Sequence, residues 1–253
     1  MLLKNLKNKG FVVLRNIATK EVKNTTKEIT AFLKAQLLKS SSNVKKISFK
    51  EMCKLMLAQR KTKRAFLYDN TRHLSSVRAL QGNKNIMAFI HKIGFSSLIA
   101  AGEPTVRVDL ANKKEAIYLR NLHQDLRGIR SKDCYTVWIP LTKVSDTHGT
   151  IEIYEGSHKK GIYNFKTTFN NEIDDQKAVV DKFKKVRIKA NIGDVIIFNS
   201  LILHRSVLGK INQFKSAVFY SLNNGDVIQP NSLQEKISKK IPLFRDKLKY
   251  IKN

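Results

Sequence analysis

The chain has 253 residues, 42% of them hydrophobic, enough for a large packed core and too apolar for a disordered chain. No apolar run reaches membrane-spanning length, the first residues lack a secretory leader, and the two cysteines, Cys53 and Cys134, form no metal-type pair, so a reducing, cytoplasmic location is expected. The formal net charge is +28, from 48 Lys and Arg against 20 Asp and Glu; the lysines are dispersed, which reads as a solvated surface capable of weak contact with anionic surfaces, with no specific nucleic-acid partner expected.

In chain order, Gly10 to Leu14 is a β-branched run read as a first strand. Glu21 to Leu38 places Val22, Ile29, Phe32, Leu33 and Leu37 near helical spacing and predicts an amphipathic helix. Ser48-Phe49-Lys50-Glu51 has capping-box form and opens a helix to about Ala58. Helical patterning resumes over Arg64 to Leu80 and Asn85 to Ile93, with Gly94 as a stop. Residues 1–103 therefore read as mainly helical support. From Pro104 the pattern changes to short β-rich runs: Thr105 to Leu110, Ala116 to Leu122, Cys134 to Leu141, Thr150 to Tyr154, Val186 to Ala190, Asp194 to Phe198 and Ser216 to Leu222. Such runs between turn signals predict a β-sandwich or barrel over 104–222. Residues 159–183 form a polar connection of the length used for lids and binding loops. Residues 223–253 read as a basic C-terminal helical segment, interrupted at Pro242. The whole is expected to be one domain.

Within the β-rich part stands His123-Gln124-Asp125, and far along the chain His204 follows the apolar run Val195-Ile196-Ile197-Phe198. Two imidazoles and one carboxylate are the facial ligand set of non-haem Fe(II) oxygenases. On a strand, side chains i and i+2 leave from one face, so His123 and Asp125 can share a metal while Gln124 points away. The competing reading of the same residues is a surface His beside a surface Asp, with a separate core His.

Three further segments fall in order with these residues: Thr136-Val137-Trp138-Ile139-Pro140-Leu141, Gly149-Thr150-Ile151-Glu152-Ile153-Tyr154-Glu155-Gly156-Ser157-His158, and Lys215, eleven positions after His204 (215 − 204 = 11). With them the chain resembles the phytanoyl-CoA dioxygenase family of Fe(II)/2-oxoglutarate-dependent oxygenases over about residues 104–222. The resemblance implies a double-stranded β-helix, a jelly-roll or cupin-like barrel in a mostly β, α+β chain with a helical N-terminal buttress. It implies Fe(II) on His123, Asp125 and His204, with 2-oxoglutarate and O2 as cosubstrates. The distal carboxylate of 2-oxoglutarate would meet Lys215, Trp138 would wall its site, and Ser206 would hydrogen-bond it. Alternatives stay open: Lys210 or Arg107 as the anchor, Trp138 as a core residue, Ser206 as a loop serine. Two positions depart from the family pattern. Glu155 replaces a usual Pro, and Lys215 replaces a usual Arg, giving a point charge where Arg would offer a planar fork. His158 reads as a turn residue. Arg127 and Arg130 follow the triad as candidate contacts for an anionic substrate, or as surface arginines.

The activity so implied is oxidative decarboxylation of 2-oxoglutarate to succinate and CO2, coupled to hydroxylation of an aliphatic carbon of a small molecule. Related halogenases lack the carboxylate, so Asp125 points to hydroxylation. The His-Gln-Asp-x-Arg and Trp-x-Pro-Leu segments are similar to those of members that modify saccharides or lipopolysaccharide; a lipid-linked or other metabolite stays open. The rival function class is a non-catalytic basic β-barrel module binding nucleic acid or another polyanion, which rests on net charge alone.

Overall fold

In a computed structural model of the chain, the described residues are 1–38, 47–58, 61–111, 121–126, 129–131, 133–163, 165–167, 172–173, 179–210 and 213–227. The sequence-predicted segments at 112–120 and 228–253 lie outside them, and of Ala116 to Leu122 only the last two residues are described, in no strand.

Period-two alternation organises the core. A five-stranded antiparallel sheet has the order β1-β8-β3-β10-β2, formed by β1 (Phe11–Leu14), β2 (Leu98–Leu110), β3 (Cys134–Pro140), β8 (Val195–Asn199) and β10 (Phe214–Asn224). Alternate residues of these strands leave for opposite faces. Val12, Leu14, Val106, Val108, Val137, Ile139, Val195, Ile197, Val218 and Tyr220 join one apolar cluster with the helices. Phe11, Val13, Trp138, Ile196, Phe198, Ala217 and Phe219 join a second cluster with Ile151, Ile153 and Val186 of the smaller sheet. That sheet has the order β7-β4-β9, from β4 (Gly149–Tyr154), β7 (Lys185–Arg187) and β9 (His204–Leu208). Two facing antiparallel sheets with helices on the outside of the larger one make the expected double-stranded β-helix.

The helical buttress follows its sequence signals with two differences. A helix that composition does not announce, α1 (Leu2–Lys9), precedes β1 and buries Leu6. Gly10 ends it at φ 86°, and a Cβ there would collide with the His158 ring. α2 (Thr19–Leu38) buries Val22, Ile29 and Leu33 along one stripe. The capping box before α3 (Phe49–Ala58) is formed: the Ser48 N–H donates to Glu51 Oε2 at 2.9 Å, and the Glu51 N–H donates to Ser48 Oγ at 3.2 Å. The stretch expected as one helix from Arg64 to Leu80 is two, α4 (Lys61–Thr71) and α5 (Ser75–Gln81). α6 (Lys84–Lys92) starts at Asn83, whose side chain accepts from the N–H groups of Asn85 and Ile86.

The helix-to-strand change falls at Leu98, not at Pro104. Pro104 lies inside β2, an edge strand whose register with β10 shifts between Phe219 and Ser221. A residue without an N–H fits an edge strand beside a bulge. Of the connection 159–183, the described parts are 159–163, which begin in a 3-10 turn at Ser157–Lys160, the short antiparallel pair β5 (Phe165–Thr167) and β6 (Glu172–Ile173), and residues 179–183. β10 continues past Leu222 to Asn224, and Gly225–Val227 is a 3-10 turn, where the start of a helical segment was expected.

The Gly193-Asp194 turn before β8 ties the start of the barrel to its end. The Asp194 carboxylate is buried and accepts the N–H groups of Asn16 and Asn191, each at 2.9 Å, and Arg15 Nη1 at 2.7 Å. Burial opposes its charge, but these donors prevail and hold its pKa below the ordinary carboxylate value. Asp194→Ala leaves two backbone N–H groups without an acceptor and is expected to destabilise the fold by about 2 kcal/mol in urea denaturation at pH 7. Because the folded pKa is lowered, this contribution is complete above the ordinary carboxylate range and is lost as pH falls through the folded value. The stability gap between wild type and Asp194→Asn should therefore close on acidification.

Candidate metal centre

The backbone itself brings His123 and His204 together. They form a single antiparallel β-bridge, each N–H donating to the other's carbonyl, at 3.0 and 3.1 Å. The ring centroids lie 4.2 Å apart. His123 Nδ1 sits 2.6 Å from the Asn121 carbonyl and His204 Nδ1 sits 3.1 Å from the Ile202 carbonyl. A carbonyl only accepts, so each Nδ1 carries the proton and each Nε2 is left as a lone-pair ligand. His123 Nε2 is 3.6 Å from Asp125 Oδ1, and His204 Nε2 is 3.5 Å from Asp125 Oδ2. One ligand atom from each of the three residues lies within 4.8 Å of the others.

His123 and Asp125 do not sit on a regular strand. After the bridge at His123 the chain turns, and the Asp125 N–H donates to the Ser200 carbonyl at 2.9 Å. The carboxylate is then fixed from β3, where Thr136 Oγ1 donates to Asp125 Oδ2 at 3.1 Å. Gln124 faces away, as spacing predicts, into a fully buried clamp. Its amide nitrogen donates to the carbonyls of Gly161 and Leu201, and its Oε1 accepts the Tyr163 N–H at 3.0 Å. Thr136 and Gln124 were missed as supports because their partners lie far away in sequence.

The Gly156-Ser157-His158 turn holds the approach to His204. Ser157 Oγ accepts the Leu203 N–H at 2.8 Å, the Gly156 N–H donates to the Lys9 carbonyl, and His158 Nε2 lies 3.1 Å from the Lys7 carbonyl. Glu155, in place of the family's Pro, donates its N–H to the Lys184 carbonyl at 2.9 Å. Proline could not make that bond.

The three side chains open onto a small cavity of about 40 Å3 between the sheets. Trp138, Ile151, Phe198 and Phe219 wall it, and its other polar residues are Thr136, Ser206 and Arg107. Trp138 is therefore both core residue and cavity wall. Lys215 is elsewhere. It is buried, its Nζ lies 3.1 Å from Asp109 Oδ2 and donates to the Thr150 carbonyl at 2.9 Å, and it is not on the cavity wall. Lys210 is exposed. Arg130 is fixed by Asn223, whose Oδ1 accepts its N–H at 2.6 Å, and its Nη1 donates to the Ile129 carbonyl; it does not line the cavity either. Arg127 lies outside the described residues.

Asp109 sits between two cations, Lys215 and Arg107, whose Nε donates to Asp109 Oδ1 at 2.9 Å. Burial pushes the Asp109 pKa up, but the Lys215 and Arg107 charges outweigh it and hold it low. Burial pushes Lys215 down, and the Asp109 charge opposes that. The sequence carries a signal for this cluster: Arg107 and Asp109 interrupt Val106, Val108 and Leu110 at period two, which aims both charges at the side opposite the helices.

A mixed nitrogen and oxygen ligand set on three residues, open on its cavity side, suits ferrous iron with exchangeable positions. The comparisons agree with that chemistry. The phytanoyl-CoA dioxygenase (PhyH) family matches residues 6–207, and the chain belongs to this family. No curated protein matches the chain by sequence. Among solved structures, the non-haem monooxygenase ThoJ in its apo form is similar at TM-score 0.63 and 15% identity, covering 92% of this chain and 80% of that one. The epimerase SnoN in complex with Fe3+, alpha-ketoglutarate and nogalamycin RO gives TM-score 0.62 and 14% identity, covering 91% and 86%. EctD from S. alaskensis with 2-oxoglutarate and 5-hydroxyectoine gives 0.61 and 13%, covering 90% and 77%. At such identities the structures show a common fold; family membership makes this chain an Fe(II)/2-oxoglutarate-dependent oxygenase, with Fe(II) and 2-oxoglutarate as its cofactors.

The Gln124 clamp should be measurable apart from the chemistry. Gln124→Leu removes three buried hydrogen bonds and leaves their backbone partners unpaired. A loss of about 3 kcal/mol in chemical denaturation of the metal-free protein is expected.

Proposed function

We propose that the chain is a hydroxylase that places oxygen on an aliphatic carbon of a small molecule, saccharide, lipid-linked compound or other metabolite. The observation that carries this reading is the convergence of His123 Nε2, His204 Nε2 and the Asp125 carboxylate at one edge of an aromatic-walled cavity. In this reading those three side chains hold Fe(II), while Trp138 and Ser206 wall the cosubstrate site. With Fe(II), 2-oxoglutarate and O2 bound, the centre supplies oxidative decarboxylation of the keto acid to succinate and CO2 and conversion of a substrate C–H bond to C–OH.

The protein's part is preorganisation. The Asn121 and Ile202 carbonyls fix both ring tautomers and aim both Nε2 atoms. Thr136 keeps one oxygen of Asp125 in a hydrogen bond, so the carboxylate does not swing away from the imidazoles. Trp138, Phe198 and Phe219 exclude water from the region beside the ligands. Asp125 itself supports hydroxylation over halogenation, since it fills with an oxygen the position a halide would need. Described structural neighbours include an epimerase and a carbocyclase, SnoK, so the same fold hosts other outcomes, and product identity decides between them.

Anaerobic addition of Fe(II) and 2-oxoglutarate should give a weak visible charge-transfer band that needs both components, and His204→Ala should abolish it. Under air, candidate small molecules should be screened for succinate release coupled to a product heavier by one oxygen. A protein that gives no band, or a coupled product without added oxygen, would count against the hydroxylase reading.

A further inference from the structure

A side-chain hydroxyl holds the Asp125 carboxylate, and a second hydroxyl holds the first. We infer that Ser200 is a positioning residue for the metal: through Thr136 it sets the direction of the Asp125 carboxylate, and with it the affinity of the site for Fe(II). This rests on the reading of His123, Asp125 and His204 as iron ligands.

The end of β8 is where the segment carrying Asp125 is tied down. Ser200 directly follows β8 (Val195–Asn199) and is fully buried. Its N–H donates to the Cys134 carbonyl and its own carbonyl accepts the Asp125 N–H, each at 2.9 Å. The next carbonyl, that of Leu201, accepts from the Gln124 amide nitrogen. Residues 200 and 201 thus hold both residues that follow His123. On β3, two positions beyond Cys134, the buried Thr136 hydroxyl bridges the remaining gap. Its Oγ1 lies 3.1 Å from Asp125 Oδ2 and 3.2 Å from Ser200 Oγ.

The charge at one end of this chain orders its protons. An ionised carboxylate only accepts, so the Thr136 proton points at Asp125. Thr136 Oγ1 is then left to accept, and the Ser200 hydroxyl donates to it. The other neighbour of Ser200 Oγ is Cys134 Sγ at 3.2 Å, and sulfur is the weaker acceptor. A hydroxyl that accepts one hydrogen bond while donating another is polarised into a stronger donor. The Ser200 bond also fixes the Thr136 hydroxyl at a second point. Without it, Thr136 keeps its contact with Asp125 but loses both the polarisation and the clamp. The bond from the Asp125 N–H to the Ser200 carbonyl is main chain and persists whatever side chain stands at 200, so the hydroxyl can be tested alone.

The test is a double-mutant cycle on metal affinity. The Kd for Fe(II) is measured anaerobically, without cosubstrate, by competition with a chromophoric chelator. Folding of each metal-free variant is followed by chemical denaturation. Thr136→Val should raise the Kd about 10- to 100-fold, the range for a residue that orients a metal ligand, and Ser200→Ala should raise it about 10-fold. In the Thr136→Val background, Ser200→Ala should change the Kd by less than about twofold, because its route to Asp125 is gone. Thr136→Ser, which keeps the hydroxyl, should stay near wild type. Should Ser200→Ala fail to fold, Ser200→Cys, a weak donor of similar shape, takes its place with the same expected pattern. Ser200→Ala that leaves the Fe(II) Kd at the wild-type value overturns the inference. So does a loss of the same factor with and without the Thr136 hydroxyl, which would make Ser200 a packing residue only. A wild type whose Fe(II) affinity is indifferent to His204→Ala sinks the iron-site reading, and this inference with it. A wild type that needs His204 but shows no coupling between residues 136 and 200 overturns the inference alone.

Discussion

The bridge between His123 and His204 is the constraint on which the rest of the site depends. Two backbone hydrogen bonds place the imidazoles 4.2 Å apart, ring centre to ring centre. Everything nearby serves that pairing. Ser157 holds the Leu203 N–H just before His204, and Gln124 locks the loop between the other two ligands to Gly161, Leu201 and Tyr163. A site made of side chains on flexible loops would pay in lost rotamer freedom when metal binds. Here backbone and side-chain hydrogen bonds restrict the segments that carry these side chains.

The larger sheet separates two kinds of interior. One face is mainly apolar and forms one cluster with residues of the helices. The other carries Trp138, Phe198 and Phe219 and also the charges Arg107, Asp109 and Lys215. Burying three charges is costly unless they are mutually paired and hydrogen-bonded. A helical buttress behind the sheet keeps strand positions rigid, so that the inward charges stay in register with one another. Among the described residues no helix is long and apolar enough to cross a membrane.

Much of this was legible before any coordinates. The triad was read from its ligand chemistry and the family resemblance; the capping box at Ser48 and Glu51, the first strand and the strands from Cys134, Thr150 and Asp194 follow from local pattern, and local pattern is what sequence displays. β9 was not among the predicted runs, because His204–Leu208 opens with three polar residues and has only Val207 and Leu208 as apolar ones. The break between α4 and α5 carries no proline or glycine, so periodicity ran through it. The strand beginning at Leu98 was hidden by Pro104, which reads as a boundary and lies at a register shift on an edge strand. Cross-strand register is the least legible quantity. Nothing local tells that Lys215 faces Asp109 or that Arg107 shares a cavity with His123, since these pairs are brought together only by the pairing of β2 with β10 and by the facing sheets. The family pattern points to residue 215 and could not say what that lysine would meet.

The central claim is that two imidazoles and one carboxylate share a single ferrous ion. Crystals grown and loaded with Fe(II) under anaerobic conditions, with diffraction recorded on either side of the iron absorption edge, test it most directly. The account predicts one anomalous peak at bonding distance from His123 Nε2, Asp125 and His204 Nε2, on the side facing Trp138 and Ser206. Fully loaded crystals with the iron bound elsewhere, or with His204 turned away from it, would contradict the account.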